Sequence, residues 1–294
     1  MTRELAFVEA LRGLATHPGA RGLNDDCAVL EIGNEVLILT HDAMAEGVHY
    51  LAGQDSADVA WKLVASNMSD LAAKGAEPLG VLLGYMLGPG DTRFVAGLGE
   101  ALRHYDVPLL GGDTIAAAGP QVLGLTAIGR AIHRPVPSRA GAQVGDALWI
   151  TGPVGAAMLG LEALRAGTGD SPDASIAYRR PQAPLAEGQA LAPHVTAMMD
   201  VSDGLLLDAS RMARASGITL AIECHAVPIA TPETRRAEAL RWGEDYQLLF
   251  TAPPGFIPPV QAFHIGETVA DGGAPLLLDG MALSEADGLG YQHG

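Results

Sequence analysis

The sequence predicts a mixed α/β (α+β) protein built as two α/β halves, and three observations carry that prediction. Apolar runs of strand length alternate with longer stretches of helical periodicity along the whole chain. A length of 294 residues, 48% of them hydrophobic, supplies core for one large domain or two of ordinary size. The segment from Arg130 to Ala142, which contains Pro135 and Pro137, interrupts the elements and divides the chain into residues 1–135 and 136–294.

In the first half, residues 3–13 read as a helix and Gly19 to Asp26 as a loop. Strand-like runs follow at Cys27–Ile32 and Glu35–Thr40, joined by Gly33-Asn34, a pair suited to a tight hairpin; the second run delivers His41-Asp42 at its end. Glu46 to Tyr50 is a polar loop. Ser56 is placed to cap a helix from Ala57 to Lys74, closed by Gly75. On it, Asn67, Asp70 and Lys74 share one stripe, which reads either as a solvated face or, given the small neighbours Ala65, Ser66, Ala72 and Ala73, as a packed one. A strand at Leu79–Leu87 and a helix at Thr92–Tyr105 come next. A short strand, Val107–Leu110, ends in Gly111-Gly112-Asp113-Thr114, where glycines let backbone approach a ligand, and Val122–Ile128 is a further strand.

The second half opens with a strand at Ala147–Thr151, the turn Gly152-Pro153-Val154-Gly155 and a helix to about Ala166. That turn suits tight strand-to-helix packing better than phosphate binding. Ser171–Pro184 reads as loop and Leu185–Leu191 as helix. An apolar run at Val195–Met199 then leads into Asp200-Val201-Ser202-Asp203-Gly204, followed by a helix that stops at Gly217. Taken alone, Ser202 or Asp203 is as good a helix cap as a site residue. A strand at Thr219–Cys224 and a helix at Thr231–Leu240 precede Trp242-Gly243-Glu244-Asp245-Tyr246, and a strand near Phe263–Ile265 starts the tail.

Charge narrows the chemistry. With 34 acidic against 18 basic residues and a formal charge of −16, the chain lacks the clustered cations that nucleic-acid phosphates require. Cys27 and Cys224 are too few for a disulfide framework or a cysteine zinc site, and they read as free thiols of a reducing compartment. The acidic, amphipathic N-terminal stretch is unlike a signal peptide, and no apolar run approaches a membrane span, so a cytoplasmic protein without membrane contact is expected.

Six aspartates, Asp26, Asp42, Asp70, Asp113, Asp200 and Asp203, fall at loop ends or on the polar stripe, in a chain whose lysines are Lys62 and Lys74 alone. Converging carboxylates with so few cations repel one another, and Mg²⁺ is the hard cation that a few carboxylates hold together with substrate phosphates. Histidines at zinc spacing, the G-x-x-x-x-G-K-[ST] loop, the G-x-G-x-x-G fingerprint and the protein-kinase signatures do not occur. The chemistry indicated is nucleotide handling by aspartates and magnesium.

Motifs in order sharpen this. Gly22-Leu23-Asn24-Asp25-Asp26-Cys27-Ala28-Val29-Leu30, Asp42 with Glu46-Gly47-Val48-His49-Tyr50, Asn67-Met68-Ser69-Asp70-Leu71-Ala72-Ala73 and Gly111-Gly112-Asp113-Thr114 lie in the first half. Ser138-Arg139-Ala140-Gly141-Ala142 before Gly145-Asp146, Asp200-Val201-Ser202-Asp203-Gly204, and Gly243-Glu244-Asp245-Tyr246 continue the series. In this order they resemble the thiamine-monophosphate kinase family, within the superfamily of aminoimidazole ribonucleotide synthetase and selenophosphate synthetase. The resemblance implies a homodimer whose N-terminal domains pair into a β-barrel, a C-terminal α/β domain, and transfer of the γ-phosphoryl of ATP to thiamine monophosphate. It further implies that Asp26, Thr40, Asp42, Asp70, Asp113, Asp200 and Asp203 hold several Mg²⁺ ions, with Asp70, Asp113 and Asp203 central to catalysis. Tyr105, Gly112, Asp113, Arg139 and Ser202 match ATP contacts, and His49, Glu244 and Tyr291 the acceptor's. Asn24, His41 and Ala116 depart from the usual pattern, and Tyr291 stands in a tail where the family commonly carries a tryptophan that packs on the substrate's ring. The alternatives are a superfamily enzyme with another acceptor and a non-catalytic nucleotide-binding paralogue.

Overall fold

The computed structural model describes residues 3–167 and 172–292. In the first half, α1 (Arg3–Arg12) is followed by the hairpin β1 (Ala28–Ile32) and β2 (Glu35–Ala45), turned at Gly33 with φ +61°. Next come α2 (Ser56–Ala73), β3 (Ala76–Met86), α3 (Asp91–His104), β4 (Leu109–Ile115) and β5 (Val122–Ala131). Their sheet has the order β1-β2-β5-β3-β4, antiparallel throughout except for the parallel pair β3 and β4.

The second half comprises β6 (Ala147–Ile150), α4 (Ala156–Arg165), α5 (Ile176–Arg179), α6 (Leu185–Leu191), β7 (Ala197–Asp200), α7 (Leu205–Ser216) and β8 (Thr219–Ile222). It ends with α8 (Arg236–Ala239), β9 (Leu248–Ala252), β10 (Phe263–Val269), β11 (Leu276–Leu278) and β12 (Met281–Leu283). The second sheet runs β12-β11-β8-β10-β6-β9-β7. Among the described residues both sheets are open, so no barrel closes within one chain.

Helix α2 positions the site. Every residue from Ala57 to Ala73 except Asp70 is buried, because the helix lies between the first sheet, α3, and α6 with β7 of the second half. Its apolar residues Leu63, Val64, Met68 and Leu71 fill the first core, whereas Ala72 and Ala73 join Leu191, Ala192, Met198 and Phe250 in a separate cluster between the halves. Missing side chains set both approaches. A Cβ on Gly97 would sit inside the backbone of Ala57, and one on Gly188 inside the carbonyl of Ala72. The solvated-face alternative for α2 is therefore excluded.

Several boundaries differ from the sequence expectation for local reasons. Asp55, not Ser56, caps α2, its carboxylate accepting the Ala57 N–H at 3.0 Å. Strand β2 continues past Thr40 to Ala45 because β5 pairs with it along its length, which puts Asp42 within a strand. Strand β4 likewise contains Gly111-Gly112-Asp113-Thr114 rather than ending at them; Leu83 opposes Gly112, where a Cβ would overlap the Leu83 carbonyl. Part of the expected loop 171–184 is helical: buried Asp58 of α2 binds both Arg179 and Arg180, fixing α5 on the core, while Ser171 lies outside the described residues. The expected helix 231–240 reduces to a 3₁₀ turn at Glu233–Arg235 and the short α8.

The Gly188 contact gives a direct test of how α2 joins the halves. Gly188→Val forces α6 away from Ala72 and is expected to lower stability by about 1–3 kcal/mol, the usual cost of overpacking, read as a reduced urea midpoint. Ala186→Val, at an exposed position of the same helix, is expected to stay within about 0.5 kcal/mol of the parent.

Candidate active site

Three carboxylates meet where the two halves touch. Asp26 leads into β1, Asp70 projects from the last turns of α2, and Asp200 ends β7; one oxygen of each lies within 4.8 Å of the others. The Thr40 hydroxyl of β2 donates to Asp70 Oδ2, and Ser69 Oγ donates to Asp200 Oδ2 at 2.7 Å. Burial, together with the charges of Asp42, Asp200 and Asp26, holds Asp70 well above the usual carboxylate range. Burial and Asp26 do the same to Asp200, and Asp42 is raised by burial against a hydrogen bond from Ser66. Such crowding of hard oxygen ligands suits a divalent cation of the Mg²⁺ type.

The expectation of acids almost without cations needs correction, because Lys74, Arg139 and Arg21 are here. Lys74 is fully buried, with Nζ 2.6 Å from Asp26 Oδ2 and bound also to Asp25. Burial alone would lower its pKa, but Asp26 and Asp25 outweigh that and raise it. On the other side of Asp26, Arg139 places Nη2 at 2.5 Å and Nε at 2.6 Å from Oδ1. Arg21 binds Asp25 and also donates to the carbonyls of Val136 and Pro137, tying the inter-half segment to the same cluster. The stripe of Asn67, Asp70 and Lys74 was visible in the sequence; that it faces inward follows from the packing of α2.

Asp203 sits apart from the three-carboxylate cluster, its Oδ2 2.5 Å from Arg211 Nη1. Neither it nor Ser202 caps α7. Instead Asp208, buried one turn into the helix, reaches back to accept the N–H groups of Ser202 at 3.1 Å and Asp203 at 3.0 Å, and burial pushes its carboxyl up to about 6. Gly204 turns the chain at φ +117°, where a Cβ would lie 2.6 Å from the Arg241 carbonyl.

These acids form one end of a cleft of about 530 Å³, lined there by Asp42, Asp70, Asp200, Ser202 and Asp203. Elsewhere its walls include His49, Glu244, Tyr178, Arg165, Trp242 and Tyr291. His49 accepts the Ala45 N–H at Nδ1 (3.1 Å), and its carbonyl accepts from Lys62 Nζ (2.9 Å) and the Tyr178 hydroxyl (3.2 Å). Lys62 is buried from α2, 2.6 Å from Glu244 Oε1 and 3.7 Å from the centre of the Tyr178 ring. Glu244 is itself held at φ +67°, its N–H donating to the Ser202 carbonyl at 2.8 Å. The Tyr291 N–H donates to the next carbonyl, that of Asp203, at 2.9 Å. Lys62, Tyr178, Arg165 and Trp242 were not singled out from sequence. Only Lys62 left a signal, a lysine among apolar residues in a lysine-poor chain.

Three expected residues lie elsewhere. Gly112 and Asp113 are on β4, the exposed edge of the first sheet. The register Asp42, Leu125, Leu83, Gly112 puts three strand spacings between β2 and β4, about 14 Å at ~4.8 Å each, so Asp113 does not join the other acids within the chain. Tyr105 is buried beyond α3 beside Trp61 and His104, where its oxygen accepts the Ala183 N–H at 3.0 Å and burial pushes its pKa up to about 12.

Comparison with known proteins identifies the family. Residues 24–131 match the AIR synthase related protein, N-terminal domain, and residues 143–257 the AIR synthase related protein, C-terminal domain. The thiamine-monophosphate kinase of Caulobacter vibrioides is 34% identical, over 94% of this chain and 86% of its own. That of Salmonella typhimurium is 32% identical, over 92% and 86%. A solved structure described as AaThiL complexed with AMPPCP and TMP superposes with a TM-score of 0.86 at 26% identity, covering 96% of this chain and 94% of that one. With both domains matched in order and these relatives aligned over most of their length, the chain belongs to the thiamine-monophosphate kinase family of AIR synthase related proteins.

Proposed function

We propose that the protein transfers the γ-phosphoryl group of ATP to thiamine monophosphate, giving thiamine diphosphate and ADP, with Mg²⁺ as the metal. The observation that carries this reading is the continuity of the cleft, whose acidic end opens directly onto walls of aromatic and charged side chains sized for a small organic molecule. The family assignment and the two ligands named for the AaThiL complex support it.

The chemistry asks little of a general base. A phosphate monoester has its second pKa near about 6, so the acceptor is already mostly dianionic at neutral pH. Bringing two polyanions into line is the obstacle, and bound magnesium supplies charge neutralisation there. Asp26, Asp42, Asp70, Asp113, Asp200 and Asp203, with Thr40, are the ligands we assign to it; Asp70, Asp113 and Asp203 lie closest to the chemistry in this reading. Gly112, Ser202, Arg139 and Tyr105 serve the nucleotide, and His49, Glu244 and Tyr291 the acceptor. Lys62 neutralises Glu244 and spans to the His49 carbonyl, keeping two acceptor-side groups in place.

Asp113 reaches the site in this scheme from a second copy of the chain. The exposed β4 edge, with Leu109, Leu110 and Ile115 uncovered, supports pairing of two first sheets into a barrel. Residues 1–135 form the metal, nucleotide and dimerisation domain on this view, and 136–294 the second domain. The free Cys27 and Cys224 suit a reducing cytoplasm, and no helix among the described residues is long and apolar enough to cross a membrane.

Incubation with ATP, MgCl₂ and thiamine monophosphate is expected to yield equal amounts of ADP and thiamine diphosphate; ADP appearing only with a different acceptor would overturn the assignment. Asp70→Asn is expected to lower kcat by at least about a hundredfold, the scale of losing a principal electrostatic contact in a transition state. The same substitution should leave the metal-free protein as stable or more so at pH 8. A carboxyl raised on folding contributes stability that is present below its unfolded pKa and lost as pH climbs through the folded one, and asparagine has no such loss. Melting curves from pH 5 to 8 in EDTA check this. Because Asp70 and Asp200 are held above the usual carboxylate range and must shed protons to bind a cation, Mg²⁺ affinity is expected to rise with pH beyond that range, with proton release measurable as buffer-dependent binding heat.

A further inference from the structure

The cleft wall around Glu244 carries an aromatic residue beyond the acceptor contacts proposed for His49, Glu244 and Tyr291. Trp242 lines the cleft together with Tyr291, and the two come from segments fastened to consecutive residues of one turn. The Glu244 N–H binds the Ser202 carbonyl at 2.8 Å, and the Tyr291 N–H binds the Asp203 carbonyl at 2.9 Å. Arg241 Nε reaches the Gly288 carbonyl at 3.1 Å and so ties the residue before Trp242 to the tail. Contact at Gly243 and Gly290 tightens the clasp. A Cβ on Gly243 would enter the Ser202 carbonyl, and one on Gly290 would enter the Asp203 carbonyl.

Thiamine compounds carry a flat, aromatic, permanently cationic thiazolium ring. Such a cation is recognised by a carboxylate or by the face of an aromatic ring, indole being the strongest. The cleft's acceptor-side carboxylate, Glu244, is already compensated by Lys62 at 2.6 Å. Among the tyrosines, Tyr178 has its face covered by the same ammonium at 3.7 Å, and Tyr246 is buried. Trp242, half-buried on the wall, and Tyr291, 47% exposed, are the rings positioned for an organic cation.

On the reading that the acceptor carries a thiamine ring, we propose that Trp242 is a specificity-determining residue that binds the thiazolium-bearing end of the acceptor, with Tyr291 as its neighbour in the tail. The indole supplies in this chain a tryptophan face that the tail itself lacks. It leaves the phosphate, and the nucleotide, to the acidic end.

Binding of thiamine, which has the ring but no phosphate, separates the two ends. Trp61 and Trp149 belong to other environments, Trp61 bonded through Nε1 to the Pro181 carbonyl and Trp149 stacked on Phe250, so a ligand-dependent change in indole fluorescence reports on Trp242. Thiamine and thiamine monophosphate are expected to quench the parent protein, and neither is expected to quench Trp242→Phe. By calorimetry, Trp242→Leu should bind thiamine about tenfold more weakly and Trp242→Phe less than that, the order expected for loss of a cation–π face, with KM for ATP within about twofold of the parent. Parent-like thiamine affinity in Trp242→Leu, or parent-like quenching in Trp242→Phe, would overturn the assignment while leaving the proposed reaction intact. Absence of binding of either thiamine compound to the parent protein would instead overturn the acceptor reading and the role of Trp242 with it.

Discussion

The buried ion network centred on Lys74 and Asp26 is the constraint from which the rest of the site follows. Asp26 has no exposed side-chain surface, and Lys74 and Arg139 occupy its two oxygens from opposite sides. Ions removed from water in this way cost several kcal/mol each unless paired, so the loop before β1, the end of α2 and the segment joining the halves are held in one arrangement by mutual need. That arrangement puts Asp70 and Asp200 beside Asp26, where the side-chain hydrogen bonds they accept among the described residues come from the hydroxyl groups of Thr40 and Ser69. Charge is thus compensated at the base of the cluster and left uncompensated at its mouth, where it is available to a cation.

The cleft extends this logic. Lys62 and Lys74 are twelve positions apart on or just beyond the same helix, yet they serve opposite ends of it, one beside Glu244 and the other beneath Asp26. A single helix therefore sets the separation between the place where metal and phosphates are expected and the place where the organic ring is expected. Asp208 performs a comparable service for the Ser202-Asp203 turn, whose carbonyls in turn fasten the Glu244 loop and the tail.

Much of this was legible from sequence where a residue's role is local. The long helix α2 showed itself by period and by a small-residue surround, Asp26 and Asp200 by their places at element ends, and Asp70 by its place on the polar stripe of that helix. What failed to show depended on partners distant in the chain. Asp208 looks like an ordinary helical acid until the turn before it is folded back. The Gly-Gly-Asp-Thr segment reads as a loop because glycines usually mark one, whereas β3 draws it into a strand by parallel pairing. Lys74 was placed on its stripe but not turned inward, and Lys62 was only counted, since the inward face of a helix buried on all sides cannot be told by periodicity.

Burial of α2 on every side has a consequence for the energetics of the whole chain. The helix contributes Leu63, Met68 and Leu71 to the core of the first half and Ala72 and Ala73 to the seam with the second, while Asp58 holds α5 and Lys74 touches the carbonyl of Met198. Removing the second half would strip water-sensitive charge and apolar surface bare along this one element. The two halves are separate in sequence and in sheet, but α2 packs in the core of one and in the seam with the other, so loss of either half takes away part of what buries this helix.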